Sequence, residues 1–442
     1  MSLARRLLVP LLILLIALMS WLSPVAQAPA APITANPSAS VGEGWLESRQ
    51  GFRVLHLGGS PYEMGYQHGV LLRDAIRARL GDGLWGGIVQ DGQVSPFLLL
   101  RHAHQTESGI PSEYREEMAG VAAGAGVSYS DVLVLNTCRD LVARPWPGES
   151  LHNLLLTLSP PFVPPAVLPG ALIEPGQEAR FAPSSVVSRG ELQGAIAVFG
   201  AATEDGQLLQ AAGFAPPAPH PQQLAAIIYQ PQEGCSYVCV VAPGTVGCEV
   251  GLNEEQIAVT ALPSPSRDSS LEAVPLAFVL RDVLQDAGDI PRALTILASG
   301  GRTTGHNVLL GDGKRPDAQA MELSTRLHAV FEAHNDFVVR TNHFLDHDLA
   351  ETQSSVSWWQ EDESWAHLEQ LLKALESDYG RLDAAGATRL VREVAFNAET
   401  VSSGANEPEV LGVVLAPGDL EISLVVSSSE GESLVVSLEG RP

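Results

Sequence analysis

From Phe52 to Gly58, apolar and polar residues alternate with the two-residue period of a short strand. A full helix-start signal follows: Ser60 stands as N-cap, Pro61 takes the first helical position, and Glu63 closes a capping box. This helix is predicted to run through Tyr66, Gln67 and Leu71 to about Leu80. A second helix starts near Pro111-Ser112-Glu113, carries Met118, Val121 and Ala122, and ends in the glycine-rich stretch Ala123–Gly126. Ser128-Tyr129-Ser130-Asp131 caps a third, which is expected to end near Asn136.

Nine prolines lie between Arg144 and Pro183, too many for a helix or a central strand, so 144–183 reads as a long irregular loop. Beyond it the period shortens to that of strands. These are expected at Ala195–Phe199, Gln207–Ala211, Ala225–Tyr229, Ser236–Val241, Thr245–Gly251 and Gln256–Ala261. Helices are predicted at Pro275–Gln285 and Ile290–Ala298, the second capped by Asp289. Strands return at His306–Gly311, Ala318–Leu323, His328–Phe331 and Phe337–Thr341. Helices at Ser364–Glu376 and Leu382–Asn397 precede closing strands at Val410–Ala416, Leu420–Ser427 and Ser433–Leu438. The order fits an α+β architecture in which two antiparallel sheets lie between helical layers.

Composition narrows the range of functions. With 45% apolar and 17% charged residues, the chain has ample material for a core. Its 51 acidic against 26 basic residues, a net charge of −25, argue against nucleic acid and against docking on anionic lipid. Arg5 and Arg6, the apolar run Leu7–Leu22 and the small-residue exit Val25–Ala28 have the form of a secretory signal peptide over residues 1–28. An Ala/Pro/Ser-rich leader is expected over 29–44 and one domain over 45–442. The protein is therefore expected to be exported, to the periplasm or beyond the cell, or tethered by this segment if it is not cleaved. Four cysteines, Cys138, Cys235, Cys239 and Cys248, allow a disulfide in such a compartment. Cys235 and Cys239 are too far apart along one strand to bridge, which leaves Cys248 as partner for one of them; free buried thiols are the alternative. A zinc site at these three lacks a fourth ligand.

Gly59-Ser60-Pro61-Tyr62-Glu63-Met64-Gly65-Tyr66-Gln67-His68-Gly69 resembles a segment of the isopenicillin-N acyltransferase-like family, which are cysteine-type Ntn (N-terminal nucleophile) hydrolases. The likeness continues in order through Glu116–Gly126, Asn136 and Asp140, Gly200–Gly206, Gly247, Gly251-Leu252-Asn253-Glu254, Ala258-Val259-Thr260, Arg281-Asp282-Val283-Leu284, Gly305-His306-Asn307 and Arg340-Thr341-Asn342-His343. It covers roughly residues 45–427. The resemblance implies a four-layer αββα sandwich. It also implies self-cleavage that frees a Cys at a strand start, whose thiol attacks an amide or acyl carbonyl while its own α-amine serves as base.

Counting back from Gly200, the nucleophile position falls at Gln193, and no Cys, Ser or Thr occurs from Glu191 through Gly200. The next strand, where relatives carry an Arg and an Asp, reads Ala211-Ala212-Gly213-Phe214-Ala215-Pro216. An amide side chain is no acyl-transfer nucleophile, so the chain reads as a degenerate family member, a pseudoenzyme. The alternative is an active amidase or acyltransferase using Ser188 or Cys138 on a small amide or acyl substrate. Asn307, by resemblance, stands near the oxyanion, with a turn or sheet-edge amide as the plain alternative; Asn253 reads as a turn former. A further alternative, a metal-dependent hydrolase, would use His343, Asp346, His347 and Asp348. No cofactor is implied.

Overall fold

The computed structural model describes residues 39–49, 51–81, 84, 96–142, 192–214, 223–354, 361–395, 409–427 and 433–438, all within the unit Pro37–Arg441. The expected signal segment, the 144–183 loop and Ser188 lie outside these residues. The chain enters through β1 (Ala39–Val41), β2 (Gly44–Arg49) and β3 (Phe52–Gly59). The first of these lies inside the stretch expected as a leader. Helices α1 (Pro61–Leu71), α2 (Arg73–Ala78), α3 (Pro96–Glu107), α4 (Ser112–Ala125) and α5 (Tyr129–Val142) follow. Ser60 and Glu63 close the capping box as predicted. The helix breaks at Leu72, short of Leu80, while α5 continues one and a half turns past Asn136.

Strands β4 (Leu192–Val198), β5 (Leu209–Phe214), β6 (Ala225–Pro231), β7 (Tyr237–Val241), β8 (Val250–Asn253) and β9 (Ile257–Pro263) come next. Residues 245–249 do not form the expected strand. The Asn136 carboxamide draws this stretch onto the helical layer, accepting from the Val246 N–H and donating to the Gly244 carbonyl. After α6 (Leu276–Asp286) and α7 (Ile290–Ala298) come β10 (His306–Asp312), β11 (Asp317–Leu323), β12 (His328–Glu332) and β13 (Phe337–Thr341). The described chain closes with α8 (His347–Ala350), α9 (Glu361–Asp378), α10 (Ala384–Ala395), β14 (Val410–Ala416), β15 (Glu421–Val426) and β16 (Ser433–Ser437).

Among the described residues the strands form two sheets, β1-β2-β3-β6-β7-β8-β9-β10-β11-β12 and β13-β4-β5-β14-β15-β16. Pairing is antiparallel except for β3 with β6, which run parallel. Alternating side chains divide the core into three apolar layers, as a two-residue period demands. On β6, Ile227 and Tyr229 face α1, α4, α5 and α6, while Ala226 and Ile228 face the second sheet. On β4, Ala195 and Ala197 face the first sheet, while Ile196 and Val198 pack on Leu371, Leu375 and Val391 of α9 and α10. Three apolar layers between four structural layers make an αββα sandwich, the architecture that the sequence resemblance implies.

Glycine spacing sets the helical layer. Gly65 and Gly69 on α1 meet Gly120 and Gly124 on α4, and a Cβ on Gly65 would lie 2.0 Å from the Glu117 carbonyl oxygen. The glycines therefore let the two helix backbones touch. Next to this contact, fully buried Arg281 pairs with Glu117 at 2.7 Å and lies over the rings of Tyr114 and Tyr229. Cys239 of β7 is bonded to Cys248, one of the pairings the spacing allowed.

Gly65→Ala is expected to lower unfolding free energy by about 3 kcal/mol or more, because backbone rather than a movable side chain blocks the added methyl. Gly81→Ala, with nothing within 4 Å of its built Cβ, should change it little; urea melts of both compare them directly. A second expectation concerns pH. His68 is buried and accepts the Gly244 N–H at Nε2, and burial, with Arg281 and Arg79 nearby, pushes its pKa down to about 3. An unfolded histidine titrates near 6.5, so as pH falls below that value the unfolded chain takes up this proton first. The stability this neutral ring contributes at pH 7 is thus expected to be lost progressively from about pH 6.5 towards 3. Thermal melts from pH 7 to pH 4 should show a shallower decline for His68→Gln, whose amide can accept the same N–H without titrating.

Candidate functional site

The site is built from the start of β4 outward. Leu192 pairs with Phe214, but the next pairing is Gly194 with Gly213, so Gln193 is the extra residue of a β-bulge. The bulge explains why Leu192 and Ala195, three residues apart, both face the inter-sheet core. Gln193 itself is half-buried. Gly194 faces the other way: a Cβ there would lie 2.8 Å from Leu371 Cδ1 of α9, so the strand passes α9 closely at this point. Across from it, Ala211 faces α9 and α10 while Ala212 and Phe214 face the inter-sheet core, so this part of β5 brings no charge to the site.

Two asparagines tie the sheets together at this end. Asn342, just past β13, donates both amide protons, to the Leu192 carbonyl at the start of β4 and the Pro263 carbonyl at the end of β9, each at 2.9 Å. Asn307, on β10, donates to the carbonyls of Thr341 and His343 at 2.7 and 2.8 Å. Each amide thus spans from one sheet to the strand end of the other, and both are buried. Asn307 therefore lies beside the end of β13, which pairs with the start of β4. Its two N–H bonds go to backbone carbonyls, and an oxyanion would have to displace one of them.

Around these brackets lies a polar shell. The Ser364 hydroxyl accepts from the Asn342 backbone N–H and stands 2.7 Å from His343 Nδ1, with Thr341 Oγ1 at 3.1 Å from the same nitrogen. Burial, with Arg340 nearby, pushes the His343 pKa down to about 4, so the ring is neutral at pH 7. Trp365 lies against it, with ring centroids 3.8 Å apart. Arg340 and Glu322, 2.8 Å apart and off the hydrogen-bond axis, form a buried ion pair between β13 and β11, with Phe331 under the guanidinium. Gln210 of β5 donates to Thr260 of β9 at 2.6 Å, a further polar link across the sheets. Asn307 Oδ1, Asn342 Oδ1, His343 Nε2 and Ser264 Oγ are buried without a protein partner. The Ser364 and Thr341 hydroxyls are engaged within the hydrogen-bond shell, whereas that of Ser264 is not.

Other residues singled out by sequence are distributed elsewhere. Cys138 is buried on α5, its thiol directed at the Leu135 carbonyl, and burial pushes its pKa up, which keeps it protonated. Asp140 meets Thr303 by hydrogen bond and His306 at 3.8 Å on the helical side of the first sheet. Of the four residues considered for metal, His343 is in the buried shell, Asp346 caps α8, and His347 is exposed beside Glu351. Asn253 shapes its turn by accepting the Ile257 N–H and also donates to the carbonyls of Leu284 and Ala287. In the sequence Ser364 has only the form of a helix-start residue, since nothing local marks a serine that will meet residue 343.

Replacing Asn342 or Asn307 with alanine is expected to strand two buried carbonyls and cost roughly 2–6 kcal/mol, at about 1–3 kcal/mol for each. Chemical denaturation of each variant measures this, and a loss below about 1 kcal/mol would contradict the bracket role.

Residues 218–394 match the model of the acyl-coenzyme A:6-aminopenicillanic acid acyl-transferase family. An uncharacterized protein of Archaeoglobus fulgidus is 27% identical over 375 residues, covering 76% of this chain, and the chain spans 57% of that relative's length. Similar solved structures include a mutant of conjugated bile acid hydrolase from Clostridium perfringens (11% identity, 57% of this chain and 93% of that one, TM-score 0.43). The Caenorhabditis elegans N-acylethanolamine-hydrolyzing acid amidase ortholog is another (13% identity, 51% and 93%, TM-score 0.38). Penicillin V acylase from Agrobacterium tumefaciens is a third (12% identity, 55% and 86%, TM-score 0.37). The matched residues 218–394 carry both asparagine brackets, and over this stretch the chain is similar to the acyl-coenzyme A:6-aminopenicillanic acid acyl-transferase family.

Proposed function

We propose that this protein is an exported, non-catalytic member of the acyltransferase-like Ntn-hydrolase group, one that keeps the sandwich and its polar inter-sheet site without the self-processing nucleophile. The observation that carries the reading is Gln193 at the bulge that opens β4, with no Cys, Ser or Thr from Glu191 through Gly200. Chemistry of the Ntn type needs a hydroxyl or thiol whose own α-amine becomes its base, and a carboxamide supplies neither a nucleophile nor a proton to relay. The uncharged run Ala211–Phe214 beside it supports the same conclusion, since it lacks the Arg and Asp that the resemblance implies for this strand. Cys138 gives the active alternative no support, because its thiol is buried and protonated. Export is supported by the Arg5/Arg6, Leu7–Leu22 and Val25–Ala28 pattern, and by the Cys239–Cys248 disulfide, which an oxidising compartment preserves.

Mass analysis of the protein recovered from its native compartment tests this reading. A single intact chain beginning near Pro29 is expected. Two fragments with a new N-terminus between Pro183 and Gly194 would overturn it in favour of a self-processed hydrolase.

A further inference from the structure

β12 (His328–Glu332) ends the first sheet, and among the described residues no strand pairs with its outer side. The hairpin leading into it settles which of its amides face outward. The Ser324 N–H donates to the Leu327 carbonyl, so these two residues face each other. The alternation of an antiparallel pair then turns Ala329 and Phe331 towards Glu322 and Ala320 of β11. His328, Val330 and Glu332 turn their N–H and C=O groups away from β11, where they meet no partner among the described residues. Their side chains share one exposed face, with Val330 46% exposed. The pair His334–Phe337 closes the edge just beyond Glu332. The remaining sheet edges are blunted. β1 is only Ala39–Val41, and on β16 the Val435 carbonyl accepts from Arg49. On β13 the carbonyls of Val339 and Thr341 accept from Arg340 and Asn307. β12 has no proline, lysine or bulge to guard it.

We propose that this edge is an interface between two copies of the chain, β12 pairing antiparallel with β12 of the partner about a two-fold axis at Val330. The sequence His328-Ala329-Val330-Phe331-Glu332 is complementary to itself in that arrangement. Val330 lies opposite its counterpart, and on each side of the axis a His328 lies opposite the partner's Glu332. An imidazole donates a hydrogen bond to a carboxylate whether or not it carries a second proton, and such cross-strand pairs stabilise a sheet. The outward residues exchange both backbone bonds with the partner, so every open amide of the edge is used. Charge favours this place as well: the chain carries −25, yet Arg326 and Glu332 balance each other along 326–334. The contact closes on itself, because pairing consumes the open edge of each copy. It does not depend on whether Gln193 has replaced a nucleophile.

Sedimentation velocity of the protein over a range of concentrations tests this, and a reversible monomer–dimer equilibrium is expected. Val330→Pro removes the N–H on the axis, which has no partner within its own chain, and an edge strand accommodates the ring. It should weaken dimerisation about tenfold or more while leaving the thermal midpoint of the monomer little changed. Val330→Lys sets two ammonium groups against each other across the axis, should weaken it comparably, and serves if Val330→Pro fails to fold. Val330→Cys should give a disulfide-linked dimer on mild oxidation, because residues exchanging both bonds lie about 5.5 Å apart at Cα, within disulfide reach. Val435→Cys, exposed on the blunted β16 edge, should not. A chain that stays monomeric at every concentration would overturn the proposal and leave the edge to another occupant. A dimer that persists equally in Val330→Lys, or cross-linking as ready through Val435→Cys, would overturn it too.

Discussion

Two asparagine side chains fix how the sheets of this protein meet. An apolar inter-sheet layer resists separation but, being non-directional, tolerates sliding. Asn342 and Asn307 remove that freedom at one end, because each holds two backbone carbonyls at hydrogen-bond distance across the sheets. The Arg340–Glu322 pair and the Gln210–Thr260 hydrogen bond act between the same sheets. Polar groups buried in this way are costly if misplaced, so they select one offset of the sheets over its neighbours. The offset in turn places the bulge at Gln193 beside Asn342, and a nucleophile at that position would inherit the same surroundings.

The helical layer obeys a different constraint. Backbone contact between α1 and α4 depends on four glycines, and beneath it Arg281 is surrounded by Glu117 and three tyrosines. His68 links this pair to the segment after β7, which Asn136 holds from α5. The residues of the family-like motifs in the front half thus serve mostly to hold chain segments together.

Much of the architecture is legible in the sequence because local signals and tertiary demands agree there. The capping box at Ser60 and Glu63, the strand Phe337–Thr341 and the helix Ile290–Ala298 are examples. Elsewhere a distant partner overrides the local pattern. Residues 245–249 alternate like a strand, yet Asn136, over one hundred positions earlier, takes their hydrogen bonds. The parallel pairing of β3 with β6 joins strands more than 160 residues apart, and neither carries a mark of its partner's direction. At the site, the Gln193 position can be counted from Gly200 by resemblance. The shell of Ser364, His343 and Thr341 cannot, because its members come from two elements that meet only in the folded chain.

In the function proposed here the fold persists without covalent chemistry. Treating the purified, folded protein with an acylating β-lactone and mapping adducts by peptide mass spectrometry tests it most directly, since such a reagent traps an activated hydroxyl or thiol wherever it lies. The account predicts no stoichiometric acyl adduct on any Ser, Thr or Cys. A stoichiometric adduct on Ser188, Cys138 or a newly exposed N-terminal residue would contradict it.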